Sequence, residues 1–161
     1  MKILIVSDTH GKLHNLTEVI EREKPIDWLL HLGDVEGQED EIALLADCRV
    51  GIVSGNNDWF TRLSRELELV IGGVRIFMTH GHRYDVYSGA DCIKAQGIVR
   101  GADVVMFGHT HCPHIERDKE SGILILNPGS ISCPRQAGRR PSYIIMEIKS
   151  DKQIECEIRY L

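Results

Sequence analysis

The sequence predicts an α/β fold in which two β-sheets pack together with helices on the outside. Three observations predict it. The first half alternates short apolar, β-prone runs with amphipathic helical segments, an order that produces a parallel sheet with helices on its faces. The second half is richer in strand-like runs. The chain of 161 residues is long enough to bury one substantial core, and it carries no repeat, linker or low-complexity stretch, so residues 1–161 are read as a single domain.

The elements follow in order. Ile3–Ser7 is an apolar run and the first buried strand. Leu13, Leu16, Val19 and Ile20 recur at helical spacing, which makes Lys12–Glu23 an amphipathic helix ended by Pro25. Asp27–Leu32 is the next strand, Glu39–Ala46 a short helix carrying Ile42, Leu44 and Leu45, and Arg49–Ser54 a third strand. Leu67–Ile71 and Val74–Met78 flank Gly72-Gly73, a two-residue hairpin signal. Ser88–Arg100 reads as a helix with Gly101 as its C-terminal cap. Asp103–Phe107, His114–Arg117, Ile123–Leu126, Ser142–Ile148 and Gln153–Ile158 complete the strands.

Composition excludes some classes of function. The hydrophobic fraction of 42% and charged fraction of 27% are those of an ordinary globular protein. No apolar stretch approaches the ~18 residues of a membrane span. The N-terminal run turns polar at Ser7-Asp8, too soon for a signal peptide. A cytoplasmic protein without a membrane partner is expected. The formal charge of −5 argues against long nucleic acid as a partner, although bound divalent cations can still make one edge attractive to phosphate. Cys48, Cys92, Cys112, Cys133 and Cys156 are scattered and form no CxxC pair, so they read as free thiols; Cys112, beside His109 and His111, reads as loop filler rather than a soft ligand.

Five polar clusters each follow an apolar, β-prone run: Asp8-Thr9-His10, Gly33-Asp34, Gly55-Asn56-Asn57-Asp58, His80-Gly81-His82 and Gly108-His109-Thr110-His111. Strands ending in carboxylate, carboxamide and imidazole predict a rigid sheet that presents a metal site at one edge. In an extended continuation, residues two apart project to the same side, so Asp8 and His10 can converge, as can His109 and His111. Asp8, His10, Asp34, Asn56, His80, His109 and His111 offer more ligands than one cation uses, which predicts a dinuclear centre sharing one bridging carboxylate. Imidazole mixed with carboxylate and one amide oxygen suits two divalent transition-metal ions, Mn²⁺ first, with Ni²⁺, Fe²⁺, Co²⁺ or Zn²⁺ as alternatives. Such a pair can bind a phosphoryl group and generate hydroxide at neutral pH.

The order Asp8-x-His10, Gly33-Asp34, Gly55-Asn56-x-Asp58, His80-Gly81-His82, Gly108-His109-x-His111 resembles the calcineurin-like metallophosphoesterase superfamily. The compact length, Thr79-His80-Gly81-His82 and Asn127-Pro128-Gly129-Ser130 look most like its small prokaryotic phosphodiesterase branch. The match runs from Ile3 to about Arg135. The resemblance implies a four-layer α/β/β/α sandwich of two mixed sheets. It also implies one ion on Asp8, His10, Asp34 and His111, the other on Asp34, Asn56, His80 and His109, and a hydroxide between them that attacks phosphorus. Asp58 resembles the family's supporting acid, which orients a neighbour by hydrogen bond.

One position departs from the family. Many members carry a proton-donating histidine after the ligand asparagine, where this chain has Asn57, and an amide delivers no proton. Asn57 can still hydrogen-bond a phosphate oxygen. His82 is the nearest substitute acid, or a supporting group. His14 reads as a helix-face residue, His31 as packed or supporting, and His114 as exposed. Arg135, Arg139 and Arg140 read as a solvated basic loop, with Arg135 near enough to Asn127–Ser130 for a phosphate contact. Trp59 and Phe60 either wall the substrate pocket or pack beneath it.

The expected function is metal-dependent hydrolysis of a small or nucleotide-like phosphodiester. The alternatives are a phosphomonoesterase on the same site and a non-catalytic scaffold like a retromer subunit the chain distantly resembles. The resemblance also implies a homodimer or homotetramer.

Overall fold

The computed structural model describes residues 1–161. Its first sheet is built from β1 (Lys2–Val6), β2 (Trp28–His31), β3 (Arg49–Ile52) and two late strands, Ser142–Ile148 and Ile154–Tyr160. Between the first three lie α1 (His14–Glu23) and α2 (Glu39–Ala46). The second sheet takes β4 (Glu66–Ile71), β5 (Val74–Thr79), β6 (Val104–Met106), β7 (Pro113–Arg117) and β8 (Leu124–Pro128), with α3 (Asp91–Val99) between β5 and β6. Ser142–Ile148 and Ile154–Tyr160 are β9 and β10.

Strand order is β10-β9-β1-β2-β3 in one sheet and β4-β5-β6-β8-β7 in the other. β1, β2 and β3 are parallel, as are β5, β6 and β8, while β9 and β4 add antiparallel neighbours, so both sheets are mixed.

Burial on both faces explains the near-continuous apolar runs of β1 and β6. Ile3 and Ile5 of β1 enter the core between the sheets with Leu30, Met78, Met106, Leu126 and Ile144. Leu4 and Val6 point the other way, onto Leu16, Val19 and Ile20 of α1 and Ile42 of α2. On the far side, Ile93 of α3 covers Phe77, Val105 and Ile125 of the second sheet. The result is the expected four-layer α/β/β/α sandwich.

Two local expectations meet their physical reasons here. Gly72 and Gly73 both take positive φ (59° and 78°), the backbone of a type I′ turn, and they set Ile71 opposite Val74. The third helix starts at Asp91 rather than Ser88, because Gly89 at φ 138° lies outside helical space. Gly101, at φ 62°, ends that helix as expected. No helix is long and apolar enough to cross a membrane.

Candidate metal centre

The C-terminal ends of β1, β2, β3, β5 and β6 carry all five polar clusters to one edge of the sandwich. Backbone hydrogen bonds tie the loops together: Asp8 N donates to Gly33 O, His10 N to Asp34 O, and Gly108 N to His80 O, each at 3.0 Å.

Convergence of the ligands does not come from extended alternation, as the sequence reading expected. Asp8 (φ 58°), His10 (47°), Asp34 (57°), His109 (65°) and His111 (58°) all lie in the left-handed region. Each strand ends and the chain turns sharply inward at the ligand itself. Asp and His are among the few side-chain-bearing residues that adopt this backbone with any frequency, so the chemistry and the turn select the same residue types.

Three histidines are oriented by what holds Nδ1. His10 Nδ1 donates to Glu36 Oε1 (2.8 Å), His80 Nδ1 to the carbonyl of Leu32 (2.7 Å), and His111 Nδ1 to the carbonyl of Cys133. All three partners only accept, so the Nδ1 proton is fixed and each ring turns its Nε2 inward. His10 Nε2 and His111 Nε2 face each other at 3.3 Å, and His111 Nε2 lies 3.1 Å from Asp8 Oδ1. Asp8 Oδ1 is buried and receives no hydrogen bond. Lone pairs aimed at one another and at a buried carboxylate repel unless a cation lies among them. The donor set therefore fits a divalent metal ion.

Two compact groups of ligand atoms result: Asp8, His10 and His111, and Asp8, Asp34 and His80, with the atoms of each within 4.8 Å of one another. Asp34 Oδ2 faces both sides, 3.9 Å from His10 Nε2 and 3.5 Å from His80 Nε2, the placement a bridging carboxylate needs. Asn56 Oδ1 approaches His80 Nε2 to 3.1 Å. The His109 ring stands beside the second group with its centroid 5.0 Å from that of His80, outside both compact sets, while its backbone N–H donates to Asp8 Oδ2 at 3.2 Å. Asp8 belongs to both groups, where the sequence reading gave two-sided contact to Asp34 alone.

Burial first, then His80, lowers the pKa of His109 to about 4 and keeps it the neutral imidazole that a ligand must be. Burial raises the carboxyl pKa of Asp8, but His111 and His80 outweigh it and the net shift is down. Burial likewise opposes protonation of His111, and Asp8 with the Cys133 carbonyl reverses the balance.

Surrounding residues lock this arrangement. Asp58, expected as a supporting acid, accepts from Asp34 N (2.8 Å), Gly55 N (2.7 Å) and Glu36 N (2.7 Å), and so joins two ligand loops. Asn57 clamps Asp34 at both oxygens, through its backbone N (2.9 Å) and its Nδ2 (2.7 Å). One of its two amide N–H groups is thereby committed to the carboxylate, which leaves the other free for a phosphate oxygen. A Cβ on Gly55 would come within 2.1 Å of Asp34 Oδ1, so only glycine admits this approach. His82 is half-buried, with an unpartnered Nδ1 and its ring 5.5 Å from that of His80; burial, then His80, lowers its pKa.

Of the supporting residues, Glu36 carries no sequence signal, whereas Asn127–Ser130 lies in a stretch the resemblance marks and His31 reads as packed or supporting. Glu36 holds His10. Asn127 Nδ2 donates to the carbonyl of Gly108 and to Thr110 Oγ1, which shapes the His109–His111 loop, and Ser130 Oγ donates to the carbonyl of Asp8. His31 is fully buried: Gly33 N donates to its Nδ1, so its Nε2–H points to Thr9 Oγ1, which in turn donates to the carbonyl of Asp34. Burial above all lowers its pKa to about 4, so it stays a neutral link in that chain.

His14, His114 and Cys112 are exposed and belong to neither ligand group. Arg135 reaches the hydroxyl of Tyr87, which itself donates to the carbonyl of His109, so this cation borders the centre; Arg140 instead lies over the Tyr160 ring. Trp59 and Phe60 do not pack beneath the site, being 77% and 106% exposed.

The family model of the calcineurin-like phosphoesterase superfamily domain matches residues 1–151. The chain belongs to the calcineurin-like phosphoesterase superfamily. Membership brings with it the phosphoric ester hydrolase class. Among curated relatives, the probable metallophosphoesterase YsnB of Bacillus subtilis is 35% identical over 94% of this chain and 86% of its own length. Phosphodiesterase YfcE of Escherichia coli K12 is 30% identical over 91% and 88%. Among solved structures, a predicted phosphoesterase from Streptococcus pneumoniae TIGR4 superposes with a TM-score of 0.81 at 28% identity, covering 99% of this chain and 97% of that one. Vps29 of Entamoeba histolytica, in a crystal structure complexed with Zn²⁺, reaches 0.78 at 21% identity over 99% of both chains and shares the fold.

Proposed function

We propose that this phosphoesterase is a phosphodiesterase that works with two divalent transition-metal ions, Mn²⁺ foremost, on small or nucleotide-like diesters. The observation that carries the reading is the convergence of three inward Nε2 atoms on the buried Asp8 and Asp34 carboxylates. Asp8, His10, Asp34 and His111 would hold one ion, and Asp34, Asn56, His80 and His109 the other. When bound, such ions supply Lewis acidity toward a phosphoryl oxygen and lower the pKa of water.

The chain's own residues do the rest. Asp34 is shared between the two ligand sets, and Asn57 fixes its oxygens so that neither swings away during turnover. Glu36, Leu32 and Cys133 keep Nδ1 of His10, His80 and His111 protonated and their Nε2 atoms aimed inward. Asp58 holds the loops of Asp34 and Asn56 at fixed separation. Arg135, on the Tyr87 hydroxyl, adds positive charge at the rim where a phosphate anion enters.

Asn57 supports the diesterase reading. With an amide committed to Asp34 where a proton donor would stand, the site favours leaving groups that depart as stable anions, and aryl esters are the best probe. YfcE, named a phosphodiesterase, supports the same assignment. Five free thiols suit a reducing compartment, which supports a cytoplasmic setting.

Mn²⁺-loaded protein assayed on bis(p-nitrophenyl) phosphate and p-nitrophenyl phosphate tests the proposal. Diester turnover that disappears on chelation is expected. A preference for the monoester would make the chain a phosphomonoesterase. Metal binding without turnover of either ester would make it a scaffold.

A further inference from the structure

Beside the metal centre lies a recess of about 430 Å³ lined by Glu36, Gly37, Asn57 and Trp59. Its size falls within the range of small-ligand sites. Two of its four walls also touch the centre: Asn57 holds Asp34, and Glu36 holds His10. The recess thus shares two residues with the framework of the centre.

The recess has an unusual wall. Trp59 is 77% exposed, and the next residue, Phe60, is fully exposed with φ at 61°, a backbone that a bulky side chain rarely adopts. Two adjacent aromatic rings thus stay in water and gain no burial in the protein. The polar groups in the recess are few. Asn57 commits one amide N–H to Asp34, which leaves its carbonyl Oδ1 and a second N–H; Glu36 commits Oε1 to His10, so its free group is Oε2. The recess offers one aromatic face, a carboxylate acceptor, an amide that both accepts and donates, and no cation.

That combination disfavours a second phosphate. It matches a planar aromatic group that carries N–H donors. We propose that this recess is the subsite for an amino-bearing nucleobase (adenine, cytosine or guanine) of a nucleotide ester, stacked on Trp59 and donating to Glu36 Oε2 and Asn57 Oδ1. The proposal deepens the phosphodiesterase reading and rests on it for the position of the phosphorus. Stacking tolerates any base, and the acceptors set the preference among them.

The test uses AMP, UMP and ribose 5-phosphate as ligands of the Mn²⁺-loaded protein. Binding is followed by quenching of tryptophan fluorescence and, separately, by inhibition of bis(p-nitrophenyl) phosphate hydrolysis. AMP is expected to quench and to bind more tightly than UMP, with ribose 5-phosphate weakest. Trp59→Leu is expected to weaken AMP about tenfold and leave ribose 5-phosphate affinity in place, while Trp59→Phe keeps most of the AMP affinity. Equal binding of AMP and ribose 5-phosphate by an enzyme that hydrolyses the diester would overturn the subsite alone. Base-selective binding, measured by isothermal titration and weakened in Trp59→Leu, in a protein that hydrolyses neither ester, would overturn the diesterase reading and leave the subsite standing. Dissociation of an oligomer in Trp59→Leu, with AMP affinity unchanged, would assign the aromatic pair to a second copy of the chain and overturn the subsite.

Discussion

Removing the Glu36 carboxylate should loosen one metal position and spare the other. Glu36 Oε1 holds His10 Nδ1 at 2.8 Å and touches no ligand of the His80 group. Carboxylates that orient a metal-binding histidine typically contribute ~10–100-fold in metal affinity. The Glu36 side chain is 39% exposed, so solvent screens its pairing with the ring and places the effect at the lower end, about tenfold. Glu36→Ala should therefore raise the Mn²⁺ dissociation constant at the Asp8–His10–His111 position about tenfold, or about 1.4 kcal/mol. Isothermal titration of chelator-treated protein should resolve a two-site isotherm in which one limb moves. ¹⁵N spectra of His10 should show loss of the fixed Nδ1–H tautomer. Equal weakening at both positions, or an isotherm identical to that of the unmodified protein, would refute the argument that Nδ1 pinning builds the site.

Other outcomes follow from the same geometry. Asn57→Ala, which frees Asp34 Oδ2 from a 2.7 Å hydrogen bond, should reduce kcat for the aryl diester roughly ten- to a hundredfold, read from steady-state kinetics. Gly55→Ala, whose Cβ would meet Asp34 Oδ1 at 2.1 Å, should cost about 3 kcal/mol in urea unfolding and abolish Mn²⁺ binding, whereas Gly37→Ala, with open space at φ 83°, should cost about 1 kcal/mol. Glu23 is 3% exposed; burial raises its pKa, but hydrogen bonds from Lys2, Tyr143 and Arg159 prevail and lower it to about 2. Its folded value lies below the ordinary 4.5, so its contribution, up to about 3 kcal/mol, is present above about pH 4.5 and fades as pH falls toward 2. Glu23→Gln should flatten that acid limb in unfolding curves taken between pH 7 and 3.

Much of this was legible in the chain itself, for physical reasons that can be named. Apolar runs report burial, so the strand ends and the polar residues that follow them were visible, as was the turn at Gly72-Gly73. The helix Glu39–Ala46 falls where its apolar spacing places it. What lay hidden depends on contacts between distant loops. That Asn57 serves Asp34, or that Glu36 serves His10, follows from strands that lie side by side in the sheet but are separated by a helix along the chain. The direction of each imidazole is set by a carbonyl or carboxylate that no spacing rule identifies. The left-handed backbone at the ligands was missed because alternation is a property of strands, and the strands had already ended.

That left-handed backbone also governs how the protein can change. Asp8, His10, Asp34, His109 and His111 each hold a conformation in which a side chain costs on the order of 1 kcal/mol relative to glycine. Glycine would relieve that strain, but at Asp34 it would also leave Asn57 N and Nδ2 without their acceptor, and at Asp8 it would strip the His109 N–H of its partner. Backbone strain and side-chain contacts are thus coupled at these positions, and neither can be altered there without the other.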